Sequence, residues 1–181
     1  MMRTKSLRSL LAGGDRRSVA GSERARALVI ADPGRVAGLA ILANDADRLV
    51  AMRAMDLLEK LAHDRPDWIH PHRWLFIGPL ADSDMWEIRL QVVRALPLFE
   101  WTAGEKKRVL AILQRDAAHP QKFVRAWALD SLAIFALRDR RLLPAVRKLI
   151  REFERSGSKA LETRALHVRE RLDREISKGG E

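Results

Sequence analysis

The chain repeats itself around one arginine. Val50 to Ala54, Trp86 to Leu90 and Lys122 to Ala126 superpose on Arg53, Arg89 and Arg125, which stand 36 residues apart twice; Leu161 to Ala165 adds a fourth copy on Arg164 after 39 more. One place after each arginine come Ala54, Leu90, Ala126 and Ala165, and four places after it Leu57, Val93, Leu129 and Val168. At about 100° per residue these positions, with the one three before the arginine, share one helical side, so each copy is an amphipathic helix. A unit recurring at this period cannot bury its apolar face alone, and stacking against its neighbours is what the pattern demands.

Other stripes lie between these helices, clearest in Leu142, Val146, Leu149 and Phe153, so each repeat is a helical pair. Thr102 with Glu105 and Asp84 with Glu87 have the spacing of capping boxes, and Pro120 and Pro144 suit first-turn positions, where a missing N–H costs nothing. Breaks are expected at Asn44 to Asp47, Asp64 to Asp67, Ala81 to Asp84 and Ser156 to Ser158. Pro79 ends or kinks one helix, and Pro97 tightens the end of another. Leu161, Ala165, Val168, Leu172 and Ile176 give the last helix a narrow stripe suited to a cap. Residues 1–34 supply the opposite cap, with a helix over about Ser22 to Ala31.

A helical pair repeated four times resembles HEAT repeats, whose second helix carries an apolar run around an arginine with an aspartate about six residues earlier. Asp47 with Arg53 matches that spacing. Asp84 stands one residue too close to Arg89, His119 replaces the acid before Arg125, and Ser158 replaces it before Arg164. The resemblance covers about residues 35–178 and implies an all-α fold, a right-handed α-solenoid of about four HEAT-like helical pairs with N- and C-terminal capping helices. It also implies a polar ladder between repeats, built here from Asp47, Arg53, Arg89, Arg125 and Arg164. A second reading of those arginines is that a repeated charge tracks a repeated polyanion. The expected organisation is a basic, mobile N-terminal arm over 1–20, a single repeat domain over 21–178 and a tail over 179–181. An organelle transit peptide is the other reading of the arm, whose apolar stretch is too short for a secretory signal.

Composition narrows the function classes. The 181 residues include no cysteine, which removes disulfides, thiolate catalysis and Cys-ligated metals and fits a reducing, cytoplasmic setting. No uncharged apolar run reaches the roughly 18 residues of a membrane span, so no membrane partner is expected. The net charge of +10 is uneven, with residues 101–181 holding nineteen basic and eleven acidic groups. Such a half suits a polyanion or an acidic protein. Arginine outnumbers lysine 26 to 8, which reflects either bidentate anion recognition or genome composition.

Helical phase sorts the candidate residues. Trp86 lies on the apolar side and is expected to pack. Trp127 lies two after its arginine, about 200° round from it and away from the apolar side, and Asp130 shares its surface. HEAT-like solenoids line their concave surface with second helices, so the resemblance gathers Arg94, Trp127, Asp130 and Arg169 there as a partner-binding patch. Arg138, Arg140, Arg141, Arg147, Lys148 and Arg151 are candidate phosphate contacts. His70 and His72 form a close pair without a third ligand at predictable spacing, and no metal or other cofactor is expected. No phosphate-binding glycine loop or nucleophile elbow occurs.

The leading expectation is a non-catalytic scaffold that binds a protein or peptide on its concave surface, and the alternative is a nucleic-acid-binding solenoid. The chain also resembles alkylpurine DNA glycosylases built from HEAT-like repeats, in being basic and in offering Trp127 and Asp130 on one face; it is shorter than they are and aligns no complete set of their residues. A third reading is a subunit that dimerises through an end or through Trp74 to Leu80.

Overall fold

The computed structural model of the chain describes residues 6–15 and 21–178, all in helices, turns and irregular segments. The chain divides into two compact units, 1–99 and 100–181, a division that falls inside the domain expected over 21–178. It lies just after Pro97, where a 3-10 turn over Leu96–Leu98 gives way to extended backbone at Phe99.

The first unit contains α1 (Leu7–Leu11), α2 (Ser22–Ala31), α3 (Val36–Leu42), α4 (Arg48–Asp64), α5 (Pro66–Ile69), α6 (Trp74–Ile77) and α7 (Trp86–Ala95). Its centre is α4, which packs against α1, α2, α3, α5 and α7. Val50, Ala54, Met55 and Leu58 are fully buried on it, and burying a side chain such as Leu58 contributes about 2 kcal/mol. Asp47 starts α4 by accepting hydrogen bonds from the backbone N–H groups of Leu49 (2.9 Å) and Val50 (3.4 Å). Elsewhere in this unit, the rings of Phe76 and Phe99 meet with centroids 5.3 Å apart. Pro79 lies just beyond α6; the neighbouring segment is largely interior, with Leu75, Phe76 and Leu80 buried and Trp74 57% exposed.

The N-terminal segment differs from the expected arm. Ser6 caps α1, whose three leucines, Leu7, Leu10 and Leu11, turn inward. Arg53 holds the chain that follows, donating to the carbonyls of Leu11 (2.6 Å), Gly13 (2.6 Å) and Asp15 (2.8 Å). Gly13 and Gly14 have φ of 78° and 71°, a left-handed bend that costs glycine little. One helical turn is too short to show a period, and its basic neighbours mask its leucines. Residues 1–5 and 16–20 of the expected arm, and the tail 179–181, lie outside the described residues.

The second unit contains α8 (Ala103–Asp116), α9 (Lys122–Arg138), α10 (Leu143–Glu154) and α11 (Lys159–Lys178). Thr102 and Glu105 form the expected capping box at α8. Pro144 occupies the first turn of α10 as expected, whereas Pro120 precedes α9, which begins at Lys122. The box expected at Asp84 is absent, because α7 starts one residue later, after Met85, without a side-chain cap; Asp84 pairs with Arg48 at 2.8 Å instead. Central here is α9, which packs on α8, α10 and α11 and buries Val124, Ala128, Leu129 and Ala133 completely. From α11, Leu161, Ala165, Val168 and Leu172 complete the core.

Candidate binding surfaces

Of the repeat arginines, Arg53 and Arg164 reach earlier parts of the chain, and Arg125 reaches both an earlier and a later one. Arg53 reaches three carbonyls of the N-terminal segment. Arg125 donates to the Ala117 carbonyl at 3.3 Å, and its guanidinium lies over the Phe153 ring at 5.0 Å. Arg164 pairs with Asp130 at 3.1 Å, and Arg89 is half-buried on α7. Asp47, expected as the acid of the ladder, uses its carboxylate to cap α4.

Trp127 and Asp130, placed on one side of α9 by phase, share Arg164 of α11 as a partner, which phase did not reveal. Asp130 is 6% exposed. Arg164 takes its Oδ1 and Arg171 its Oδ2, both at 3.1 Å, and Arg171 also donates to its backbone carbonyl. The Arg164 guanidinium lies 4.0 Å from the centroid of the half-buried Trp127 ring. Both carboxylate oxygens are thus engaged inside the unit, and the cluster ties α9 to α11 by charge-assisted hydrogen bonds. The contacts advance along both helices together, from Trp127 with Arg164 to Asp130 with Arg171.

Beside this cluster lies an apolar surface. Phe123 is 45% exposed and Leu166 39%. Phe123 stands one turn before Trp127 on α9, and Leu166 holds on α11 the repeat position that Trp127 holds on α9, two after its arginine. The equivalent Met55 is fully buried, since α4 is covered on several sides. Trp86, expected to pack, is half-buried.

The other two residues of the expected patch have acidic partners of their own. Arg169, exposed on α11, pairs with Glu154 of α10. Arg94 belongs to the first unit, where it reaches Glu59 at 3.1 Å and Gln91 at 3.2 Å. Glu59 is 1% exposed and also holds His63 at 3.0 Å. Together with Glu23, Arg26 and Asp64 these residues line a polar cleft of about 330 Å³. The sequence signal for it is the i,i+4 pair Glu59 and His63 on α4.

Three of the candidate phosphate contacts are paired in place: Arg141 with Asp139 at 2.9 Å, Arg147 with Asp173 at 3.0 Å and Lys148 with Glu152 at 3.9 Å. Arg138 lies over Phe135. Arg140 and Arg151 are exposed. The Arg141 guanidinium, bound through two nitrogens, lowers the Asp139 pKa from its ordinary 3.8 to about 2; the Arg141 backbone N–H and the Lys106 ammonium act in the same direction. A separate, largely apolar groove of about 230 Å³ opens between α8 and α10, over Ala117, Leu132, Val146 and Leu149. His70 and His72 sit on a 3-10 turn. Among the described residues no three metal-ligating side chains gather, and no helix is long and apolar enough to cross a membrane.

No family model matches the chain, and no curated protein matches it. Among solved structures it is similar to two crystal structures of engineered proteins. One is 16% identical with a TM-score of 0.63, covering 93% of this chain and 78% of its own. The other is 17% identical with a TM-score of 0.64, covering 92% and 79%. At such identities the likeness carries the all-helical fold alone.

Proposed function

We propose that the chain is a HEAT-like scaffold, a right-handed solenoid of about four helical pairs, that binds a protein or peptide without catalysis, in a reducing compartment such as the cytoplasm. The observation that supports this reading is the exposed apolar pair Phe123 and Leu166 on α9 and α11, with the half-buried Trp127 one turn after Phe123, on the second helices whose faces line the concave surface in such solenoids. Exposed aromatic and aliphatic side chains in register on adjacent helices are what a partner's apolar anchors require. Residues 100–181 hold nineteen basic and twelve acidic groups, a net +7, so the favoured partner segment is acidic around those anchors. Asp130, with both oxygens engaged, has the role of a structural tie.

Panning a displayed peptide library against the full chain tests this. Enriched acidic peptides with apolar anchors are expected, and F123D/L166D should abolish their binding while helical content stays unchanged. Enrichment of nothing, or of peptides indifferent to that double variant, overturns the reading.

The same charge supports a second reading, nucleic-acid binding through Arg138, Arg140, Arg141, Arg147, Lys148 and Arg151. Fluorescence anisotropy with duplex and single-stranded probes from low to physiological salt checks it, because phosphate contacts give a steep salt slope. Binding that survives physiological salt favours nucleic acid. Binding erased by salt leaves the charge as solvated surface.

A further inference from the structure

The facing sides of α10 and α11 carry a charge pattern that the peptide-binding surface does not use. Two ion pairs cross between these helices, Arg147 to Asp173 at 3.0 Å and Glu154 to Arg169 at 2.5 Å. As the α10 partner moves forward from 147 to 154, the α11 partner moves back from 173 to 169, so the pairs are successive rungs between antiparallel helices. Arg151 lies between the rungs, and Arg155 lies one turn further on. Neither has an acidic partner among the described residues, and both are exposed. The recess that these groups line has a volume of about 340 Å³ and includes Ile150 and Leu172, which are 3% and 1% exposed.

Four arginines against two carboxylates leave the recess with a net charge of +2. Arg147, Arg151 and Arg155 recur every fourth residue, roughly 6 Å apart along the helix axis. Arg147 and Arg169 are held by their carboxylates, so two of the four guanidiniums are already oriented. Guanidinium forks match the paired oxygens of phosphate groups, and several forks in a row match an anion whose charge is spread along a short chain. The volume falls in the range of small-molecule sites, about 300 to 1,000 Å³.

We propose that this recess binds a compact oligophosphate, two or more linked phosphates, with Arg151 and Arg155 supplying the charges that no acidic side chain among the described residues pairs with. The phosphate chain comes either as a free oligophosphate or as the tail of a nucleotide.

Isothermal titration of the full chain with tripolyphosphate, and separately with ATP, at physiological salt tests the assignment. One-to-one binding is expected, weakened about tenfold or more in R151Q/R155Q, since each lost guanidinium removes a charge-assisted contact. K107Q/K159Q, which removes two charges from exposed positions elsewhere in the same unit, should bind as the native chain does. Tighter binding of tripolyphosphate identifies a free oligophosphate, and tighter binding of ATP a nucleotide. Equal losses in both double variants, or no binding of either probe, overturn the proposal. So does a glutamate-rich peptide or duplex DNA fragment that binds more tightly than both probes and is indifferent to R151Q/R155Q.

Discussion

Asp130 and Asp139 belong to the same unit, each engages arginine with both carboxylate oxygens, and they differ in how far the fold depends on them. Asp130 is 6% exposed and joins Arg164 and Arg171 of α11 to α9. Replacing it with alanine would leave two partly buried guanidiniums facing each other without an anion, at a cost of about 3 kcal/mol; urea unfolding of D130A checks the figure. The Trp127 ring, which lies under Arg164, should report the loosening by its fluorescence. Asp139 is nearer to solvent, and its role is legible in its acidity. Its folded pKa of about 2 lies below the ordinary 3.8, so the contact stabilises the fold fully above about pH 4 and is lost as pH falls toward 2. Carboxyl NMR of Asp139 should titrate with a midpoint near 2, and D139N should show a flatter stability profile over that acid window.

Among the elements, helix starts separate what spacing can specify from what it cannot. Thr102 and Glu105 form both bonds of their box, and Thr102→Ala should cost about 1 kcal/mol by loss of that cap. Asp84 has the same spacing to Glu87 but stands one residue outside its helix, paired with Arg48 on the surface. Asp84→Ala should therefore change stability little, and thermal melts of the two variants side by side read the contrast. The 36-residue period, the stripe of α11 and the helix over Ser22–Ala31 were legible because long amphipathic helices repeat their phase many times. The short α1 was not, since five residues carry a single turn. That Trp127 and Asp130 share one side of α9 followed from helical phase, whereas the engagement of Asp130 by Arg164 and Arg171 depends on a helix more than thirty residues away, which phase on one helix does not report. Arg169 and Glu154 stand on different helices, so only their tertiary approach reveals the recess between α10 and α11.

At the scale of the whole molecule the two units differ in character. Residues 1–99 carry fifteen basic and twelve acidic groups, a net +3 against the +7 of residues 100–181. Each unit has a central helix buried on several sides, α4 in one and α9 in the other. Leu58→Ala and Leu129→Ala open equivalent cavities in those centres, and each should cost about 3 kcal/mol. Chemical unfolding followed by far-ultraviolet circular dichroism checks both, and a single shifted transition in each case would mean that the units melt as one. Near the other end of the chain, Arg53 sets a limit on where the protein can be cut. A basic, glycine-containing stretch ahead of the first repeat invites removal as a dispensable leader, yet it supplies the three acceptors of a cation that is only 4% exposed. A polypeptide begun at residue 21 would carry a stranded charge in the interior of its first unit, which the carbonyls of Leu11, Gly13 and Asp15 seal as a stopper.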